Sequence, residues 1–464
     1  MNVCLLNDSF PPVIDGVANT VLNYANILQK DGLANVLVGT PKYPDADYES
    51  YPFKVVPYKS FDTTRIVKGY RAGNPFVINE LIDMESFGPD LIHSHCPVVS
   101  TYIARALRTR CEVPIVFTYH TKFDVDIARA VHTNFLRRET VRALVANIEA
   151  CDEVWVVSEG AGENLRDLGY EGEYRVVCNG VDFPKGMTDD DKVAEVTAGY
   201  DLPAGVPVFL FVGRIMKYKG LPLIIDALSM LDKDGIDFRM VFVGKGPDMD
   251  EIMQQAESAG IYDKNGKGKC IFTGPIYDRE VLRAWNTRAD LFLFPSTYDT
   301  NGIVVREAAA CGLASVLIKG SCAAEGITHD RNGFIMDDSA QSLYGLLRSL
   351  AGHIDHMKDV GRHAMDEIYI SWETSVHEAY DRYNTVIENK KAGVYNTRRH
   401  RIAGTMIELT DDVIYEMRQL LKAPVTLFDN MVDDMLDNVG EIRTDVAKEL
   451  HELHAFLDRR GDRK

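Results

Sequence analysis

The chain has 464 residues, 46% of them hydrophobic, and a net charge of −18, room for about three domains or for two large ones with an appendage. With a pI near 5.1 it lacks the basic footprint that nucleic-acid binding requires, and attraction to anionic lipid would need a local basic patch that overrides the total. The eight cysteines, at 4, 96, 111, 151, 178, 270, 311 and 322, form no Cys-x-x-Cys pair and mostly lie inside apolar runs, as in a reduced cytoplasmic protein.

No stretch reaches 18 apolar residues, and Val3–Leu6 already reads as a strand. Neither a membrane span nor a leader peptide is therefore expected. From there the first half alternates short apolar runs with helical stretches. The strands expected are Val3–Leu6, Asn35–Val38, Lys54–Tyr58, Asp90–His93, Pro114–Tyr119, Glu153–Val157 and Arg175–Cys178. Runs apolar on both faces, with helices between them, imply a parallel sheet covered on both sides. Between the first two strands, Pro11-Pro12 and Asp15-Gly16 make a loop, and Val17, Val21, Ala25 and Leu28 line one helical face. That loop should aim helix N-terminal amides at the sheet edge. It contains no G-x-G-x-x-G, so it is not a dinucleotide fingerprint.

His93-Ser94-His95 follows a strand and invites a metal reading, but no third ligand stands at a characteristic spacing. A satisfied structural role is the expectation for that pair. His120 ends the run Pro114–Tyr119, at the carboxyl end of a parallel strand, where doubly wound folds place ligands.

Near residue 185 the pattern breaks. Asn179-Gly180-Val181-Asp182 makes a turn, and the polar stretch 184–206, with Gly186, Pro203 and Gly205, reads as a linker. A second series follows, with strands Val208–Val212, Arg239–Val243, Lys269–Phe272, Asp290–Phe294, Ala314–Ile318 and Gly333–Met336. Arg214 and Lys219 lie between the first of these strands and an amphipathic helix. A fork of donors and a compact charge side by side suit two adjacent phosphates. Gly244-Lys245-Gly246-Pro247 is a tight turn at the same sheet edge, and Thr273-Gly274-Pro275-Ile276 ends the next strand.

The stretch 290–320 concentrates the chemistry. Asp290–Phe294, stopped by Pro295, is a buried strand that delivers the loop Ser296–Asn301. Gly302 then opens a helix that stops at Gly312. Amides near Gly302, Ile303 and Val304 are left unpaired by that geometry, and together with the helix dipole they attract an anion. Asp299 in the loop and Glu307 in the helix border the same crevice. An anion site flanked by two hydroxyl-binding acids suits a sugar nucleotide. The plainer alternative for each acid is a partner for the helix dipole or an ordinary exposed residue.

Asp299, seven intervening residues, Glu307 and then Ala308 to Gly312 resemble the signature of glycosyltransferase family 4, a retaining group with the GT-B fold; Asp299 stands where the signature has Glu. The resemblance covers about residues 1–390. It implies an α/β GT-B architecture, two Rossmann-like domains facing across a cleft: 1–185 on the acceptor side and 186–370 on the nucleotide-sugar side. Residues 371–394 would be helices crossing back, and 395–464 a helical extension of unassigned role. The implied activity is retaining transfer of a hexose, UDP-linked by family frequency, to a hydroxyl of a glycan, lipid or small acceptor. No metal and no cofactor are implied. By the same resemblance Asp299 holds donor-sugar hydroxyls and Glu307 the ribose, while Arg214 and Lys219 clamp the diphosphate. The Gly16 loop closes on the donor phosphates, Ile276 meets the base, and Asn301, Gly302 and Ile303 belong to the donor loop. His120 meets the sugar beside the reacting centre. Thr118-Tyr119-His120-Thr121 resembles members that glycosylate diacylglycerol, which adds a peripheral place at the inner membrane face to the cytoplasmic expectation. No side chain stands out as a nucleophile. Two other readings fit this plan: a sugar-nucleotide epimerase, and a non-catalytic sugar-nucleotide-binding homologue.

Beyond Lys391 come a basic run, Arg398–Arg401, and an apolar stripe through Val439, Ile442, Val446, Leu450, Leu453 and Leu457. Helix docking or homo-oligomer formation through 424–457 is expected ahead of membrane attachment, because Asp433, Asp434 and Asp437 crowd the segment.

Overall fold

The computed structural model describes residues 1–395 apart from 14, 63–70, 75–77, 124–126, 128–133 and 267. In chain order the first lobe carries β1 (Asn2–Leu6), α1 (Gly16–Lys30), β2 (Asn35–Pro41), β3 (Lys54–Tyr58), β4 (Ser60–Asp62), β5 (Arg71–Gly73) and α2 (Ile78–Ser86). It continues with β6 (Leu91–Ser94), α3 (Val99–Cys111), β7 (Ile115–Tyr119), α4 (Asn134–Glu149), β8 (Glu153–Val156), α5 (Glu159–Asp167) and β9 (Tyr174–Val176). Seven of these strands form one sheet in the order β3-β2-β1-β6-β7-β8-β9, with every pairing parallel.

Alternation along β1 splits the apolar residues between two cores, as a pleat with period two requires. Cys4 and Leu6 join Ile92, Phe117 and Leu107 on one face, and Val3 and Leu5 join Tyr24, Leu28 and Trp155 on the other. Both faces are buried, so every residue of β7 is buried too.

The second lobe carries α6 (Asp190–Thr197), β10 (Val208–Val212), α7 (Leu221–Lys233), β11 (Arg239–Val243), α8 (Met249–Ser258), β12 (Cys270–Gly274) and α9 (Arg279–Arg288). After these come β13 (Leu291–Phe294), α10 (Ile303–Ala310), β14 (Ser315–Ile318), β15 (Phe334–Met336), α11 (Ala340–Leu350), α12 (Ile354–Glu367) and α13 (Trp372–Lys391). Its parallel sheet runs β12-β11-β10-β13-β14-β15. The long α13 does not stay with this lobe. Its Trp372, Val376, Ala379, Tyr383 and Val386 are buried in the first lobe's core with Val3, Leu5 and Trp155.

Each sheet has a point where the strand order reverses, between β1 and β6 in one and between β10 and β13 in the other. Successive loops leave in opposite directions there and open a crevice at the carboxyl ends of the strands. The loops after β1 and β6, and those after β10 and β13, are therefore the ones positioned to meet a ligand, and the loop after β7 stands beside the first pair.

Two elements differ from the sequence reading. Residues 184–206, read as a linker from their glycines and prolines, contain α6, with two acids in its first turn. Just beyond it Tyr200 packs edge-on against Trp285 at 5.0 Å. A small antiparallel ribbon, β4 with β5, was not expected at all. Apart from Tyr395, the extension 395–464, with its basic run, its apolar stripe and the docking segment 424–457, lies outside the described residues.

Candidate active site between the two lobes

Because β10 and β13 are neighbours, the loops that follow them, 213–220 and 295–302, meet. Gly220 (φ 78°) passes so near the second loop that a Cβ would stand 2.2 Å from the Pro295 carbonyl oxygen, an approach open only to glycine. That passage delivers Lys219, whose Nζ donates to the two Asp299 carboxylate oxygens at 2.7 and 3.0 Å. Ser296 Oγ donates to Asp299 Oδ2 at 2.5 Å. The Lys219 side chain is only 10% exposed, with its ammonium 5.4 Å from the centre of the Phe294 ring, so the pair is a charge-assisted contact in a poorly solvated spot. Arg214 on the same loop is exposed, its Nη2 donates to Tyr218 Oη at 3.4 Å, and it has no ion-pair partner among the described residues.

The second loop ends in Gly302 (φ 57°, ψ 40°), which caps α10 without any side-chain hydrogen bond. Its carbonyl accepts from the amides of Val305 and Arg306 at 2.8 and 3.3 Å. The amides of Ile303 and Val304, one turn short of any intrahelical acceptor, are the ones left for an anion. Asn301 Oδ1 accepts from Arg306 Nη1 at 2.5 Å, and its amide nitrogen Nδ2 is buried with no partner. Leaving a buried donor unmet costs about 1–3 kcal/mol, which a ligand acceptor here would recover.

Asp299 and Glu307 do not stand open together; each holds its own cation. Glu307, 8% exposed, accepts from Arg279 Nη2 at 2.8 Å, and that guanidinium lies 4.3 Å from the centre of the Phe183 ring and 3.7 Å from Asp182. Burial raises the Glu307 carboxyl above its ordinary range, opposed by Arg279 and reinforced by Asp182. Ile276, beyond β12, packs at the margin of the second-lobe core.

Across the crevice, His120 follows β7, and its carbonyl accepts from Thr300 Oγ1 at 2.7 Å. Ser158 Oγ donates to the Thr300 carbonyl at 2.5 Å. Glu325 accepts from the amides of Glu159 and Gly160, at 2.7 Å each, and so caps α5 from the other lobe. Gly160 lies tight against the other lobe, since a Cβ there would meet Cys322 Sγ at 2.6 Å. The loop 295–302 and the His120 loop are thereby stitched together.

The imidazole of His120 is 8% exposed, with Nε2 2.9 Å from His95 Nδ1. His93 uses both ring nitrogens on hydroxyls, Nδ1 with Tyr383 Oη at 2.6 Å and Nε2 with Thr118 Oγ1 at 2.7 Å, which is a structural role. Burial holds all three neutral, His120 down to about 3 and His93 and His95 well below the usual value. Among the described residues no group of three or more His, Cys, Asp or Glu side chains is placed to hold a metal ion. Gly16 is exposed and faces open space. The helix start there differs from the sequence reading, because the Asp15 carboxylate takes the amides of Val17 and Ala18, at 2.8 Å each.

Arg279, Ser158, Thr300 and Glu325 were not singled out in the sequence, and His95 was expected to have only a structural role. Among the first four, Ser158 alone carried a local signal, a serine placed after a strand and before a helix; all of them act on partners far away in the chain.

Comparison with known proteins decides the family. The model for Glycosyltransferase Family 4 matches residues 14–184, and that for Glycosyl transferases group 1 matches 195–363. The chain belongs to glycosyltransferase family 4. It is a glycosyltransferase of GT-B fold, a hexosyltransferase by class. An alpha-monoglucosyldiacylglycerol synthase from Streptococcus pneumoniae is 26% identical over 94% of this chain and 100% of its own. Sulfoquinovosyl transferase SQD2 of Arabidopsis thaliana is 26% identical over 76% of this chain and 67% of its own. Among solved structures, Anabaena Alr3699/HepE in complex with UDP superposes with a TM-score of 0.65 at 18% identity, over 83% of this chain and 100% of that one; at that identity the likeness shows the fold alone. For a family 4 enzyme the crevice between the lobes is the candidate active site, and no helix among the described residues is long and apolar enough to cross a membrane.

Proposed function

We propose that this enzyme moves a hexosyl group from a UDP-linked sugar to a hydroxyl of a glycerolipid acceptor, with retention at the anomeric carbon and without a metal. One observation carries the reading: the buried Lys219 ammonium and the uncapped start of α10 lie on loops that meet, and the second loop also carries the orphan Asn301 amide. Together they are an anion site built from fixed charges and dipoles, the arrangement that stabilises a departing diphosphate. The alpha-monoglucosyldiacylglycerol synthase named above supports the lipid acceptor, and the UDP complex of a structural neighbour supports the base.

The roles follow from chemistry. Asp299 aims Lys219; when the diphosphate arrives, the three N–H donors of the ammonium are shared between carboxylate and phosphate, and Asp299 gains a face for sugar hydroxyls. Arg214 adds a second cation from the rim. The bond from C1 to the phosphate oxygen breaks as positive charge builds on the sugar. The acceptor oxygen bonds to C1 on that same face, and its proton passes to an oxygen of the leaving diphosphate. Glu307, held by Arg279, takes the ribose hydroxyls.

A panel of nucleotide sugars in a thermal-shift assay, followed by transfer to diacylglycerol in detergent with and without a chelator, tests this reading. UDP-hexoses should raise Tm most, since a ligand at 100 times its Kd stabilises by roughly 2.7 kcal/mol, and chelation should leave the rate intact. Loss of activity that added metal restores would refute metal independence, and turnover of donor without any acceptor would favour the epimerase.

A further inference from the structure

The contact between His95 and His120 joins two neutral imidazoles, so a single proton lies between His95 Nδ1 and His120 Nε2. The rings are 20° from coplanar. If His120 donated, His95 would have to carry its own proton on Nε2. That atom is buried and has no hydrogen-bond partner, and orphaned buried N–H groups are the rarer and costlier kind. His93 offers it nothing, although its ring centre is only 3.9 Å from that of His95, because both its nitrogens are spent on Tyr383 and Thr118. If His95 donates from Nδ1, its Nε2 is left only as a lone pair. The second arrangement is favoured.

We propose that His95 is a positioning residue that fixes His120 in the tautomer protonated on Nδ1, so that His120 meets the donor sugar as a hydrogen-bond donor. The functional half rests on the reading of His120 given above. His120 Nε2 is occupied by His95, and Nδ1 has no hydrogen-bond partner among the described residues. A ring whose free nitrogen carries the proton cannot act as a general base there. It presents a neutral N–H to a sugar oxygen, and the acceptor's proton must go elsewhere, to the leaving diphosphate.

The tautomer is read directly from long-range nitrogen–proton correlations in protein labelled with nitrogen-15 histidine, with His120→Gln and His95→Phe spectra giving the assignments. His120 should be protonated on Nδ1, as should His95. A His120 resonance protonated on Nε2 would overturn the proposal. Kinetics supply the second arm. The amide nitrogen of Asn reaches the place of the histidine Nδ1, whereas that of Gln reaches the place of Nε2. His95→Asn should therefore keep kcat within about threefold, while His95→Phe and His95→Gln lower it about tenfold, a loss worth roughly 1.4 kcal/mol. All three should retain wild-type affinity for UDP by calorimetry. Equal kcat for His95→Asn and His95→Phe, with both folded by circular dichroism, would refute the positioning role. The expected tautomer in a protein that turns over no nucleotide sugar would support the assignment of protons and refute the proposed reaction.

Discussion

Lys219 and Asp299 act as a pair, and removing either has a different signature. Lys219→Ala deletes an oriented cation from a poorly solvated site and should lower kcat by about ten- to a thousandfold. Asp299→Ala should weaken binding of the intact sugar nucleotide by about tenfold more than that of UDP, since only the former loses its hydroxyl partner, worth about 1–3 kcal/mol when buried. Glu307→Ala should weaken both ligands alike, and titration calorimetry on the three variants distinguishes the cases. Equal losses for both ligands in Asp299→Ala would confine Asp299 to holding Lys219. The histidines make a separate prediction. Burial depresses the folded pKa of His120 to about 3 and those of His93 and His95 well below the ordinary value. Between about pH 6.5 and that range the unfolded chain binds more protons than the folded one, so these groups contribute stability above pH 6.5 that is lost as pH falls. His120→Gln should flatten the fall in denaturation midpoint between pH 6.5 and 5, and an unchanged slope would contradict the buried neutral state.

At the scale of elements, the site exists because two loops leave a sheet at its reversal point, and the tight pass at Gly220 sets their spacing. Gly220→Ala should push the Pro295 backbone away, parting Lys219 from Asp299 and lowering affinity for UDP even though neither charged residue is changed. Unaltered UDP affinity in the folded variant would show that the pass does not matter. The strands were legible from the sequence: Lys54–Tyr58, Val208–Val212 and Arg239–Val243 have the bounds read from their apolar runs. A run buried on both faces shows itself in composition alone. The helix start at Gly302 was equally legible, because strand, polar loop and glycine lie in one continuous stretch. Helix α6 was not, since little more than Val196 and the nearby Tyr200 and Leu202 tie it to the core amid glycines and prolines. The ion pair of Glu307 with Arg279 was hidden for another reason: sequence names the acid but not the cation that folding brings to it.

Over the whole molecule, the lobes are joined on either side of the site. Beside it run the contacts of Thr300 with His120 and Ser158 and of Glu325 with α5. Farther along, the two chain crossings pair, the Val181 amide donating to the Ile370 carbonyl at 3.0 Å. A carboxylate at a helix N-terminus is stabilising and a cation there is not, so Glu325→Lys should spread the lobes. A larger radius of gyration in small-angle scattering and a raised KM for donor are expected, with thermal stability of each lobe little changed; an unchanged radius would mean that the other contacts hold the lobes unaided. The proposed reaction moves a hexosyl group in the crevice with retention at the anomeric carbon. Nuclear magnetic resonance of the anomeric proton in the glycoside made from an α-linked UDP-hexose and diacylglycerol tests it most directly. An α-glycoside formed by the wild-type enzyme and not by Lys219→Ala is the predicted result, and a β-glycoside, or bound donor that yields no glycoside at all, would contradict it.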